Sequence, residues 1–157
     1  MKNLRTIAVC VTISLYSLCT AAQNTDIPIN EPDHNKPQLF KLLPDNIPVN
    51  IDHINTLLDY QVGSAVSLNL SAASSFQFEG NVISSVSKYE NSIHSVIIRS
   101  TNYPGARFTL SRVTDKQGNI SYTGRILSME HGDVYVLKNI NNQFMLVKRK
   151  FHQLVNE

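Results

Sequence analysis

From Ser64 to Lys150 the chain repeats one device: apolar residues at every second position, in short runs separated by Gly, Pro, Asn and Asp. A period of two places successive side chains on opposite faces of a strand, so each run predicts a ribbon with one dry face. The clearest pair is Ala106 to Leu127. Ala106, Phe108 and Leu110 share one face of its first arm, and Ile120, Tyr122, Gly124 and Ile126 share one face of its second. Between the arms, Gly118 can supply the positive φ that a tight connection needs.

The remaining runs extend the pattern on both sides. Val66, Leu68 and Leu70 alternate with Ser67 and Asn69; after the Ser71–Ser75 break, Phe76, Phe78, Gly80 and Val82 alternate with polar residues. Gly80 inside a strand signals a bend, a bulge or the close approach of another backbone. His94, Val96 and Ile98 share one face of the next run while Ile93 and Ile97 take the other, which predicts burial on both sides. Asn102-Tyr103-Pro104-Gly105 reads as a turn with Pro104 at i+1 and Gly105 at i+2, suiting type II. Glu130–Asp133 and Asn139–Asn142 turn the chain into VYVLK (134–138) and FMLVKRK (144–150).

Seven such runs with short connections predict an antiparallel meander, and hence an all-β fold with minor α content. Closure into a small barrel would remove exposed edges and is the preferred architecture; a two-sheet sandwich is the alternative. One short helix is expected over 51–60, capped by Asn50, with Ile51, Ile54, Leu57 and Leu58 on its apolar face and Gly63 after its end. It should cover an open end or edge of the sheet. Leu39–Pro44 is a short apolar plug, and Phe151, Leu154 and Val155 suit a last helical turn.

The first residues carry an address. Lys2 and Arg5 precede an apolar run from Ile7 to Leu18 and then Thr20, Ala21 and Ala22, the order of a secretory signal peptide cleaved after Ala22. The run is short for a membrane-spanning helix, which needs about 20 residues. Residues 23–37 are polar and rich in proline, and read as a flexible leader to a single domain over 38–157. Cys10 and Cys19 both lie in the leader, so the exported chain would contain no thiol, no disulfide and no thiolate metal site. The competing reading is a lipid anchor on Cys19, for which the preceding Leu18 is larger than that processing favours.

Charge sharpens this picture. The full chain is +2, and loss of Lys2 and Arg5 leaves twelve basic and twelve acidic residues. Residues 23–91 hold three basic and eight acidic side chains, and residues 92–157 hold nine and four. Arg99, Arg107, Arg125, Lys148 and Arg149, with Lys150 beside them, form the candidate partner-binding face, because Arg107 and Arg125 point away from their apolar stripes. A neutral, exported chain without an aromatic-basic stacking motif is not expected to bind nucleic acid.

Catalytic signatures are lacking. There is no G-x-S-x-G elbow, no H-E-x-x-H, no P-loop and no dinucleotide-binding glycine pattern. Glu130, His131 and Asp133 make the densest polar loop, readable as a metal or acid–base site or as a hairpin turn; only His94 could join them. His34 beside Asp33 is expected to be solvated, and His53 to lie on the surface. Tyr89, Tyr103, Tyr122 and Tyr135 could line a partner surface or pack as ordinary strand residues. Asn69 and Asn119 begin N-x-S sequons. No cofactor or metal is expected. The reading that follows is a secreted or periplasmic, non-enzymatic binding module for a protein partner. Its rivals are a carrier barrel with an open interior lined by Phe76, Phe78, Phe108 and Tyr122, a hydrolase using His94 or His131, and an inhibitor or prodomain unit that masks an enzyme.

Overall fold

The computed structural model describes residues 35–69 and 76–154. The expected signal segment with Cys10 and Cys19, the Asp33–His34 pair, the 71–75 break and Val155 lie outside the described residues. The fold is one antiparallel sheet of eight strands: β1 (Asn46–Pro48), β2 (Ala65–Asn69), β3 (Gln77–Lys88), β4 (Ile93–Ser100), β5 (Arg107–Thr114), β6 (Ile120–Leu127), β7 (Asp133–Ile140) and β8 (Gln143–Lys150). Strands β2 to β8 follow one another as the expected seven-stranded meander, and the short β1 adds itself outside β8.

The sheet curls into a half-barrel and stays open, with β1 and β2 as its edges; neither the closed barrel nor the two-sheet sandwich forms. The connection between those edges explains why. It consists of α1 (Ile51–Thr56) and a 3₁₀ turn (Leu57–Asp59), whose Ile54, Leu57 and Leu58 are buried in the core that the concave face encloses. The opening is thus filled by side chains, and no strand pairing closes it. Asn50 caps α1 as expected, accepting from the Asp52 amide at 2.8 Å. The α-helix is shorter than 51–60 because its last turn tightens to 3₁₀ and the chain is extended at Tyr60. Gly63, at φ +92°, serves the turn into β2. Both edges are blunted: β1 has three residues and ends on Pro48, and β2 has five.

The β5–β6 hairpin has the register its alternation predicts. Phe108 stands opposite Ile126 and Leu110 opposite Gly124, all on the concave face, while Thr109 stands opposite Arg125 on the convex face. Gly118 takes φ +86° in the connecting turn, where the Asp115 carboxylate accepts from the amides of Gln117 and Asn119. The proline turn spans Tyr103–Ala106, closed by the Ala106 amide on the Tyr103 carbonyl, with Gly105 at φ +74°. Asn141 and Asn142, both at positive φ, form the two-residue β7–β8 connection, so the strands run on through Asn139 and Ile140. Gly80 marks a close approach. A Cβ there would meet the Arg99 carbonyl of β4 at 2.3 Å, and a bulge follows in β3 between Val82 and Ser84.

An aromatic stack fills the interior. Phe40, Phe76, Phe78, Phe108 and Tyr135 are fully buried, and Tyr103 meets Phe40 edge-on at a centroid distance of 5.5 Å and stacks on Phe76 and Phe78 at 5.7 and 6.3 Å. Strand β4 is buried on its concave side at Val96 and Ile98, and half-buried on its convex side at Ile93 and Ile97. Among the described residues no helix is long and apolar enough to cross a membrane.

Candidate functional site

The register gathers four of the five arginines of the C-terminal half on one face. Arg99 pairs with Arg107, Arg107 with Leu127, Leu127 with Val134 and Val134 with Arg149, a single cross-strand row over β4 to β8 on the convex side. Arg125 sits one row along, opposite Thr109 and diagonal to Arg107. At about 4.8 Å per strand the row from Arg99 to Arg149 spans roughly 19 Å. All four arginines are exposed. Like charges directly opposite each other on a sheet oppose pairing, so the Arg99–Arg107 juxtaposition contributes nothing favourable to the fold. The ion pair recorded among the described residues joins Lys148 to Asp45 at 3.4 Å and leaves these four unopposed.

Two expected members part company with the face. Lys148 stands opposite Tyr135, on the concave side, where its ammonium donates to the Leu43 carbonyl and faces Asp45. It fastens the segment before β1. Lys150 has the same parity as Lys148 and follows it at the end of β8. In exchange the convex side gains Lys138, exposed on β7 in the same alternation as Val134 and Val136. The alternation of VYVLK carried that signal. Arg112 turns inward, donating to the Asn55 side chain of α1 at 3.0 Å, and Tyr122 donates to the same oxygen at 3.2 Å.

The polar loop resolves into a fastening. Asp133 is 2% exposed and accepts the Leu39 amide on one carboxylate oxygen and the Phe40 amide on the other, each at 2.7 Å. The Gly132 amide donates to the Pro37 carbonyl at 2.9 Å, and Lys36 donates to the Met129 carbonyl at 2.8 Å. His131 meets Ser128 Oγ through Nδ1 at 2.9 Å, and Glu130 is exposed. Ser128 and His131 bond to each other, whereas the Asp133 bonds go to the Leu39 and Phe40 amides and do not extend the pair into a relay. His94 lies at the other end of the strands, opposite Ser87 and Arg112. The sheet keeps the two histidines apart. Among the described residues no three His, Asp or Glu side chains converge as a metal site.

The tyrosines divide in the same way. Tyr135 is buried, with its hydroxyl donating to the Pro44 carbonyl at 2.5 Å; burial, and then the nearby Asp45 and Asp133, push its pKa far up. Burial also raises that of Tyr103. Tyr122 packs edge-on to Phe144. Tyr89 alone of the four is exposed, at the β3–β4 turn. His53 is on the surface, as expected, and the Asn119 side chain is bonded to Asp115.

Compared with known protein families, curated proteins and solved structures, the chain gave no match.

Proposed function

We propose that this chain is an exported, non-enzymatic binding module that holds a protein partner against the convex face of its half-barrel. The observation that carries the reading is the arginine row. Arg99, Arg107 and Arg149 share one rung with Arg125 beside it, exposed and, among the described residues, without carboxylates to neutralise them. A fold gains nothing from setting two arginines opposite each other, whereas an acidic surface docking there would be steered and oriented by them. The carrier reading needs an open interior, but Phe76, Phe78 and Phe108 are packed among neighbouring rings. The hydrolase reading needs His94 or His131 in a cleft of converging polar groups; His131 bonds to Ser128, while Asp133 nearby is taken up by the Leu39 and Phe40 amides.

The test is capture. Immobilised wild-type protein and its Arg107→Glu/Arg125→Glu variant are exposed to the native envelope or secreted fraction. The reading expects a partner retained by the wild type, released as salt rises, and absent from the folded variant. Equal retention by the two forms overturns it.

A further inference from the structure

The ladder comes apart between β6 and β7. Three register pairs join them, Arg125 with Val136, Ile126 with Tyr135 and Leu127 with Val134. Strands β5–β6 and β7–β8 are paired along their whole lengths. Beyond Val136, residues 120–124 of β6 ladder only to β5, and residues 137–140 of β7 only to β8.

Main-chain groups along an antiparallel strand point alternately to its two neighbours, so the hydrogen bonds fix which ones face the gap. The Thr114 amide bonds to Ser92, on the β4 side of β5. Ser111 and Val113 therefore point to β6, their partners Thr123 and Ser121 point back, and Tyr122 turns its N–H and C=O into the gap. The Lys148 amide bonds to Asp45, on the β1 side of β8. By the same alternation Asn139 presents its N–H and C=O from the other lip. A cavity of about 300 Å³ opens on the convex side above Gly124 and Leu137, where the seam begins, lined among others by Thr109, Ser111, Thr123, Arg125, Lys138 and Leu154. That is the lower end of the ~300–1,000 Å³ range of ligand clefts. Ile120 and Ile140, 56% and 42% exposed, are the residues at which β6 begins and β7 ends, at the unpaired end of the seam.

Unpaired strand edges are templates for another strand, and this one is flanked by two cations that no acidic side chain answers among the described residues. We propose that the seam takes up an extended acidic segment of the partner polypeptide, which bonds to the free main-chain groups of Tyr122 and Asn139 while its carboxylates meet Arg125 and Lys138. This rests on the reading of the convex face as a protein-binding surface and specifies the form in which the partner is held.

The probe is an end-capped octapeptide of alternating Glu and Val, with its Lys–Val counterpart as control, added to the full chain while amide hydrogen exchange is followed residue by residue. The Tyr122 and Asn139 amides should exchange rapidly in the free protein and slow at least tenfold with the Glu–Val peptide only. Arg125→Glu should weaken binding at least tenfold, and Arg125→Lys should keep it. Unchanged exchange at both amides at millimolar peptide, or protection confined to the β2 edge, overturns the proposal. If native capture depends on Arg107 while the seam amides stay fast, the seam falls and the arginine face stands. If the seam amides are protected but reversal of Arg99 and Arg107 leaves native capture intact, the face reading falls and the seam stands.

Discussion

Asp133→Ala should be among the most damaging substitutions in this domain, although the residue stands at the very start of a strand. Its carboxylate receives two consecutive amides, from Leu39 and Phe40, both at 2.7 Å, and is itself 2% exposed. Hydrogen bonds to a charged acceptor contribute about 1.5–3 kcal/mol each, and a buried donor left without a partner costs about 1–3 kcal/mol. Phe40 is fully buried against Tyr103 and Tyr135 at 5.5 and 5.1 Å, so its amide cannot turn to water without withdrawing the ring from the core. Two such bonds set the expected loss at about 3–5 kcal/mol. Asp133→Asn keeps one acceptor oxygen and should lose about 1–2 kcal/mol. The assay is equilibrium urea unfolding, where slopes of roughly 1–3 kcal/mol/M make the alanine variant's midpoint fall by at least about 1 M. A loss below about 1 kcal/mol for Asp133→Ala would refute the reasoning, because the amides would then have found other acceptors at no cost.

Gly80→Ala should cost about 1–3 kcal/mol, since its Cβ would lie 2.3 Å from the Arg99 carbonyl and the β3–β4 ladder would have to shift; urea unfolding reads this directly. Tyr135→Phe removes the bond to the Pro44 carbonyl while keeping the ring, so a loss of about 0.5–1.5 kcal/mol is expected, with an unchanged urea slope. Acid should act partly through Asp115, whose carboxyl is held below its ordinary 3.8 first by the Asn119 side chain and then by main-chain amides. A depressed folded pKa gives stability that is present above the unfolded pKa and is lost as pH falls through the folded one. Unfolding followed from pH 5 down to about pH 2 should therefore fall off less steeply for Asp115→Asn than for wild type.

How far the residues alone carried the fold can be argued from three places. The alternation of Phe108 and Leu110 against Ile126 specified both a strand pair and its inward face, because slipping by one residue would turn every apolar side chain to water. Closure was not legible. It depends on whether β1 reaches β2, and that is decided by α1, whose buried Ile54, Leu57 and Leu58 fill the opening. Lys148 and Arg149 are adjacent in sequence, yet the pleat sends one to the Tyr135 side and the other into the arginine row; only the strand's position in the sheet decided their tasks.

What the chain determined by itself is local in origin. Period-two alternation, the Asn50 cap, and Gly105, Gly118 and the Asn141–Asn142 pair as turn-formers follow from steric and hydrogen-bonding preferences within a few residues. Tertiary structure alone decided what depends on distant partners. It spent Asp133 on Leu39 and Phe40, more than ninety positions away, lined up Arg99, Arg107 and Arg149 across five strands, and parted β6 from β7. The physical reason is that a side chain's facing is set by its own backbone, whereas the group it meets is set by which strand lies alongside.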